Sequence, residues 1–368
     1  MKIALVQDWF VVNGGAEKVV REIVNLFPDI EIFSLVDFLS AENREQILKG
    51  KKSNTSFLQY FPLSEFGYRN YLPLFPTAIE SLDFSGYDVI ISSSYTVAKG
   101  ITKTKDQLHI CYCHSPVRYA WDLEEQYLAP LNFIKKFIAR VTLKYIRKWD
   151  LKSNKSVDVF IANSHYVAER IKRIYHRDSV VLPPPVDTSS FTPCEEKEEY
   201  YFTSARMVPY KKIDLIIETF NALPNLKLVV SGDGPDLKRL EHLAKSNTTF
   251  TGFLKKDELI KTMQNAKAFV LAADEDFGIT SLEAQSCCTP VIALKKGGYL
   301  ETVVEGKTGV FFEEDSVNCL KNVILGFENI NYAFSKDDFL NNVEKFSTQH
   351  FKKGFKKIVD EHIHAKSW

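Results

Sequence analysis

The run AFVLAADEDFGITSLEAQSCCTPVIA, residues 268–293, reads as a short apolar strand (Ala268 to Leu271), a loop, a helix opening near Thr280, and a second apolar strand (Val291 to Ala293). Strand, helix and strand at this spacing form a βαβ unit, the building block of a parallel sheet. Glu275 lies in the loop and Glu283 on the helix, with Phe277-Gly278 turning the backbone between them. Free N–H groups at a helix N-terminus attract anions, so the run suits a phosphate flanked by two hydroxyl-binding carboxylates. Thr280-x-x-Glu283 is equally a capping box, in which Thr280 caps the backbone and Glu283 reaches back.

The same alternation precedes this run. Towards the N-terminus it includes Tyr200 to Thr203, a helix Ile213 to Asn221, Leu226 to Val230, a helix Asp236 to Ala244, Thr248 to Gly252 and a helix Asp257 to Gln264. An earlier series contains Ile3 to Val6, a helix Ala16 to Leu26, Ile30 to Leu35, Val89 to Ile91, Leu108 to Tyr112 and Val157 to Ala162. Between the series lies Pro183-Pro184-Pro185-Val186-Asp187, whose prolines lack donors and exclude both helix and central strand. Two α/β domains follow, each a Rossmann-like doubly wound parallel sheet: residues 1–187 and 188–345, with a C-terminal helix in 346–368 that is expected to pack across the boundary. Two such domains on a stiff hinge imply a facing cleft, with ligands at the carboxyl ends of the strands.

Composition excludes several classes. The chain has 368 residues, 45% hydrophobic and 26% charged, with a formal net charge of zero, which disfavours a nucleic-acid partner. Its start lacks the apolar core of a signal peptide, and no stretch approaches the roughly 20 apolar residues of a membrane span. The expectation is a cytoplasmic protein. Six cysteines without a secreted pattern read as reduced thiols, and Cys111-x-Cys113-His114 lacks a second pair of zinc ligands.

Further candidates occupy strand ends. Arg206 and Lys211 flank a helix start and suit a departing diphosphate. Gly232 and Gly234 permit close approach of a base or ribose, or simply a tight turn. Gly14-Gly15 opens the first helix and suits a phosphate or sugar hydroxyl. His114 follows Leu108 to Tyr112 and is either a hydroxyl partner or a structural histidine. Ser164 reads as a helix cap. Asp274-Glu275-Asp276 has the D-x-D spacing of metal-dependent transferases, but Arg206 and Lys211 supply positive charge, so no metal and no cofactor are expected. Ile134, Ile138, Val141 and Tyr145, with Lys136, Arg140, Lys144 and Lys148, give the 131–152 segment either a core face or a surface for an anionic membrane. Phe57 to Phe75 reads as an acceptor wall or a packed insert.

Taken in order, Asn13-Gly14-Gly15-Ala16-Glu17, Asn163-Ser164, Pro184-Pro185-Val186-Asp187, Ala205-Arg206-Met207-Val208-Pro209-Tyr210-Lys211, Gly232-Asp233-Gly234-Pro235, Glu275 to Ala284 and Gly297-Gly298 resemble the retaining GT-B glycosyltransferases of family 4. Cys113 to Tyr119 is similar to bacterial mannosyltransferases of O-antigen or capsule assembly. The resemblance implies donor binding by the C-terminal domain and acceptor binding by the N-terminal one. Glu283 would hold the ribose, Glu275 the transferred sugar, the Phe277-Gly278-Ile279-Thr280 backbone the sugar or phosphate, Arg206 and Lys211 the diphosphate, and His114 the sugar's C6 hydroxyl. The glycine usual after the family lysine is Lys212 here. The implied activity is hexosyl transfer, mannose from GDP-mannose, to a lipid-linked or growing surface glycan such as lipopolysaccharide, on the inner face of the cytoplasmic membrane. A UDP-sugar donor or a non-catalytic cleft-type sugar-binding protein are the alternatives. A dinucleotide oxidoreductase lacks its G-x-G-x-x-G.

Overall fold

The computed structural model describes residues 1–129, 131–330 and 334–366. The chain divides into two compact units, Met1–Pro185 with Phe351–Trp368, and Val186–His350. The first break falls at the end of the triple-proline run.

In the first unit, β1 (Ile3–Gln7), β2 (Glu31–Ser34), β3 (Asn54–Thr55), β4 (Val89–Ser94), β5 (Leu108–Cys113), β6 (Val159–Ala162) and β7 (Val180–Val181) form a parallel sheet in the order β3-β2-β1-β4-β5-β6-β7. Side chains alternate between two buried faces, as strand period requires. Leu5, Val89, Ile91, Ile110 and Tyr112 enter one core, while Ala4, Val6 and Ile90 enter another and Cys111 and Cys113 a third. The helix Thr348–Ala365 returns the chain to this unit and buries Phe351, Phe355, Ile358 and Val359 in the first of these cores. Its close seat requires Gly354, where a Cβ would stand 2.6 Å from Leu182 Cδ1. The last two residues of the expected 346–368 segment lie outside the described residues.

The second unit holds β8 (Tyr200–Ser204), β9 (Lys227–Ser231), β10 (Thr248–Gly252), β11 (Ala268–Leu271), β12 (Val291–Leu294) and β13 (Gly309–Phe312), all parallel in the order β10-β9-β8-β11-β12-β13. Tyr201, Leu228, Val230, Val270 and Ile292 pack on one face, and Phe202, Phe269, Leu271 and Val291 on the other. Strand order reverses between β1 and β4 in one sheet and between β8 and β11 in the other. Loops leaving such strands part in opposite directions and open a crevice, the place where doubly wound sheets bind ligands.

Burial separates the faces of two segments of the first unit. The helix Phe133–Ser153 is capped by Asn132 Oδ1, which accepts from the Lys135 N–H at 3.0 Å. It buries Leu143, Ile146, Trp149 and Asp150, whereas Ile134, Ile138, Val141 and Tyr145 are exposed. Its apolar repeat is therefore not the core face. In the aromatic insert, Leu58, Tyr68 and Phe75 join the core that contains Trp9, while Tyr60 and Phe66 remain exposed.

Candidate functional site

Arg206 leaves the end of β8, and Asp274-Glu275 leaves the end of β11, so the two loops flank the crevice of the second sheet. Pro209 to Lys211 form one turn of 3-10 helix that carries Lys211 across to Glu275, where its ammonium pairs with Oε1. Both side chains are about three-quarters covered, so the pair is less screened than a surface pair. Lys211 also lies 5.8 Å from the Tyr210 ring centroid. The Arg206 side chain is exposed and makes no ion pair with any described residue. The structure thus brings Lys211 to Glu275 but leaves Arg206 beside them, projecting from the same loop. Asp274 Oδ2 lies 3.1 Å from Lys296 Nζ, so two acids of the D-x-D run are engaged by lysines. Among the described residues no group of three or more His, Cys, Asp or Glu is arranged to hold a metal ion.

Helix Ile279–Ser286 starts one residue earlier than Thr280, with Gly278 as its N-cap at φ 84°. Thr280 is therefore not the cap, and the capping-box reading fails. Glu283 falls in the second turn and is buried. Ser281 instead closes the first turn, its Oγ donating to Gly278 O at 2.8 Å. Gly278, Ile279 and Thr280 are half-buried, so their backbone borders the loop surface. The Phe277 side chain is buried with Val186, Leu282 and Val343 and anchors the loop from beneath.

Several glycines serve this packing. A Cβ on Gly232 would stand 1.9 Å from Ala205 O, and one on Gly234 would stand 2.4 Å from Met207 O. The Gly232-Asp233-Gly234 turn is thereby locked against the Arg206 loop, also through the Met207 N–H donating to Asp233 O at 2.9 Å. These glycines are explained by loop-to-loop contact, which was the plainer of the two expectations. Gly298 likewise faces Phe277, where a Cβ would lie 2.3 Å from its Cα, and its N–H donates to Glu275 O at 2.8 Å.

Lys212 occupies a left-handed conformation, φ 55° and ψ 33°, between the 3-10 turn and the helix Ile213–Asn221. Glycine adopts that region without the cost an L side chain carries, which accounts for the glycine expected there. The Lys212 ammonium turns away to Asp315, 2.8 Å distant, and so does not join Lys211. Lys212→Gly is expected to be tolerated, whereas Lys212→Val should destabilise the chain by about 2 kcal/mol, because a β-branched residue is worst in this region. Thermal unfolding of the two variants checks the difference.

The first unit has its own strand-end cluster. Asp8, just after β1, is fully buried and accepts four backbone N–H bonds across the β1/β4 crevice, from Tyr95 (2.7 Å), Thr96 (3.0 Å), Val97 (2.5 Å) and Ala98 (2.7 Å). Sequence reasoning did not single out Asp8, although an acid closing an apolar strand was a usable signal. His114, after β5, is half-buried; Nε2 lies 2.8 Å from Ser93 Oγ, and its ring meets Tyr95 and Tyr112 edge to face. Burial pushes its pKa down to about 3, so the imidazole is neutral. Asn163 Nδ2 donates to His114 O at 2.9 Å, and Ser164 caps the helix His165–Tyr175.

The Gly14 N–H is already taken, since it donates to Glu17 Oε2 at 3.0 Å. That corrects the expectation that it would meet a phosphate; the exposed Gly15 carries no such contact. Glu17 is buried, and burial raises its pKa from 4.5 to about 7 despite the Gly14 and Gln7 hydrogen bonds. A raised folded-state pKa means that the native chain binds this proton more tightly than the unfolded chain. The contribution is full below pH 4.5 and declines as pH rises towards about 7. Glu17→Gln is accordingly expected to flatten the fall in stability across that interval, as followed by thermal unfolding against pH.

The two parallel Rossmann-like sheets, of seven and six strands, match the GT-B fold of glycosyltransferase structures. Residues 188–344 match the family described as Glycosyl transferases group 1, and residues 13–190 match Glycosyltransferase Family 4. The chain is 32% identical over 205 residues to the GDP-mannose-dependent monoacylated alpha-(1-6)-phosphatidylinositol monomannoside mannosyltransferase of Corynebacterium glutamicum, covering 47% of this chain and 54% of that protein. It is 28% identical over 218 residues to the GDP-mannose-dependent alpha-(1-6)-phosphatidylinositol monomannoside mannosyltransferase of Mycolicibacterium smegmatis, covering 51% and 55%. The alignments thus span about half the length of these relatives. Anabaena Alr3699/HepE in complex with UDP superposes with a TM-score of 0.71 at 15% identity, covering 98% of this chain and all of that one. Sucrose-phosphate synthase of Thermosynechococcus elongatus gives 0.72 at 16%, covering 99% and 100%.

Proposed function

We propose that this chain is a retaining hexosyltransferase that moves mannose from GDP-mannose to a lipid-linked or growing surface glycan, such as lipopolysaccharide, capsule or exopolysaccharide. The observation that carries the reading is the Lys211–Glu275 pair spanning the β8/β11 crevice, with the N-terminus of the helix Ile279–Ser286 opening just beyond Glu275. The mannose assignment rests on the relatives named above.

In this reading the second unit binds the donor. Lys211 and Arg206 neutralise the diphosphate, and a phosphate drawn to Lys211 competes with Glu275, leaving that carboxylate to accept from a sugar hydroxyl. Glu283 fixes the ribose, and the Gly278 to Thr280 backbone meets phosphate or sugar. The first unit binds the acceptor, with neutral His114 offering a hydrogen bond to a sugar hydroxyl. The departing phosphate takes the acceptor's proton on the face it leaves, so no side chain acts as a strong base. Electrostatic stabilisation of that leaving group then supplies most of the catalysis.

A panel of nucleotide-sugars, read by release of free nucleotide, tests the donor, and the anomeric configuration of the fresh product tests retention. Preference for a UDP-sugar would remove the mannose assignment and leave the chemistry in place. Failure to turn over any donor, with sugar binding intact, would favour a binding-only protein. Because lysine and arginine already supply the positive charge, full activity is expected in excess chelator; loss reversed specifically by magnesium or manganese would overturn that. The protein is expected to work in the cytoplasm, at the inner membrane face.

A further inference from the structure

A helix on a globular domain needs one apolar stripe to dock, and the helix Phe133–Ser153 has two. Leu143, Ile146 and Trp149 form the docked stripe. Phe133, Ile134, Phe137, Ile138, Val141 and Tyr145 lie on the other side, 86%, 69%, 65%, 58%, 57% and 45% exposed. At the helical repeat these six occupy an arc of about 140°, separate from the docked one. Six large apolar groups on one exposed face form a contiguous patch of the kind that marks an interaction surface.

Charge indicates what covers it. The helix carries seven Lys and Arg residues and one acid, Asp150, which is buried and paired with Lys99. Arg147 and Arg140 pair with Glu124 and Glu125 of the neighbouring helix Glu124–Leu128. The side chains of Lys135, Lys136, Lys144, Lys148 and Lys152 make no ion pair or hydrogen bond with any described residue. Lys144 and Lys148 continue the apolar arc towards the C-terminal end, while Lys135 and Lys136 border its sides. Aromatic and aliphatic groups flanked by uncommitted lysines match the acyl boundary and the negative headgroups of an anionic bilayer. Among the described residues no helix is long and apolar enough to cross a membrane, so this contact lies on the surface.

We propose that the outward face of the helix Phe133–Ser153 docks the first unit on an anionic phospholipid surface, its N-terminal turns entering the acyl boundary and its C-terminal lysines resting on headgroups. This deepens the lipid-linked acceptor reading but is argued from this helix alone. The test is co-sedimentation of the full chain with phosphatidylcholine vesicles, with and without phosphatidylglycerol. Binding is expected to the mixed vesicles, weakened by salt. The double variant F133S/F137S should lower the partition coefficient at least about tenfold. K144Q/K148Q should lower it by a similar factor on the mixed vesicles only. All four residues are exposed, and thermal unfolding verifies that the fold is kept. Absence of wild-type binding, or indifference to both double variants, would overturn the proposal. So would a concentration-dependent dimer abolished by F133S/F137S without vesicles, which assigns the face to a second copy. Release of nucleotide from the donor, measured on the same preparations, is expected to be unchanged. Its absence in the wild type alongside vesicle binding would instead remove the sugar-transfer reading alone.

Discussion

Lys211→Ala is expected to lower turnover at saturating donor by 10²- to 10³-fold, about 2.7–4 kcal/mol of transition-state stabilisation, the range for one lost electrostatic donor in a preorganised site. The group is partly covered, fixed by a 3-10 turn and aimed across the crevice at Glu275. A preplaced charge needs no reorganisation when the leaving phosphate gains its negative charge, which is where the rate is gained. Removing it also leaves the Glu275 carboxylate without this cation, adding repulsion against the donor. Arg206→Ala is expected to lower turnover over the same range. Its exposed side chain has no partner to hold it among the described residues, so part of its effect should appear in KM. Lys211→Arg should recover a fraction of the lost rate. Steady-state kinetics on the three variants distinguish these outcomes, and near-normal turnover in both alanine variants would refute the assignment.

Asp8→Ala is expected to destabilise the first unit by about 3–5 kcal/mol, because it leaves several buried N–H groups without an acceptor, each carrying a desolvation cost. Asp8 gathers Tyr95 to Ala98 around one carboxylate, and Tyr95 in turn contacts the Trp9 and His114 rings. Lys99 follows directly and is buried against Asp150, which also accepts from Trp121 and Tyr175. Thermal unfolding should show the loss. In the surviving folded fraction, turnover should fall, since the Tyr95 loop beside His114 is released. Asp8→Asn should be milder, because its carbonyl oxygen keeps one pair of bonds while its amide opposes the other. A variant as stable as the wild type would show that water replaces the carboxylate.

Corrections to the site came where one sequence pattern serves two purposes. Thr280-x-x-Glu283 matches a capping box, but Gly278 adopts the positive φ that starts the helix earlier and moves Glu283 into the second turn. Gly232 and Gly234 suited either a base or ribose or simply a tight turn, and the space a Cβ would need is filled by the carbonyls of Ala205 and Met207. The first-helix glycine read as a phosphate donor, yet Glu17, three residues on, claims its N–H. Each deciding partner is a backbone atom or a side chain whose direction depends on the local turn, and neither leaves a trace in residue type.

Residue pattern alone dictated the two parallel sheets, because a strand buried on both faces must be apolar throughout and helices must alternate with such strands. It also placed Arg206, Lys211, Glu275 and His114 at strand ends, since the loops there follow from strand order. That Lys211 meets Glu275 while Lys212 turns to Asp315, and that Asp8 gathers a loop more than eighty residues away, follows from packing between distant segments. The helix Phe133–Ser153 marks the division most clearly. Periodicity revealed its apolar repeat, but a helix with two apolar stripes carries no sequence mark of which one the core covers, because burial depends on the neighbouring element and not on the stripe itself.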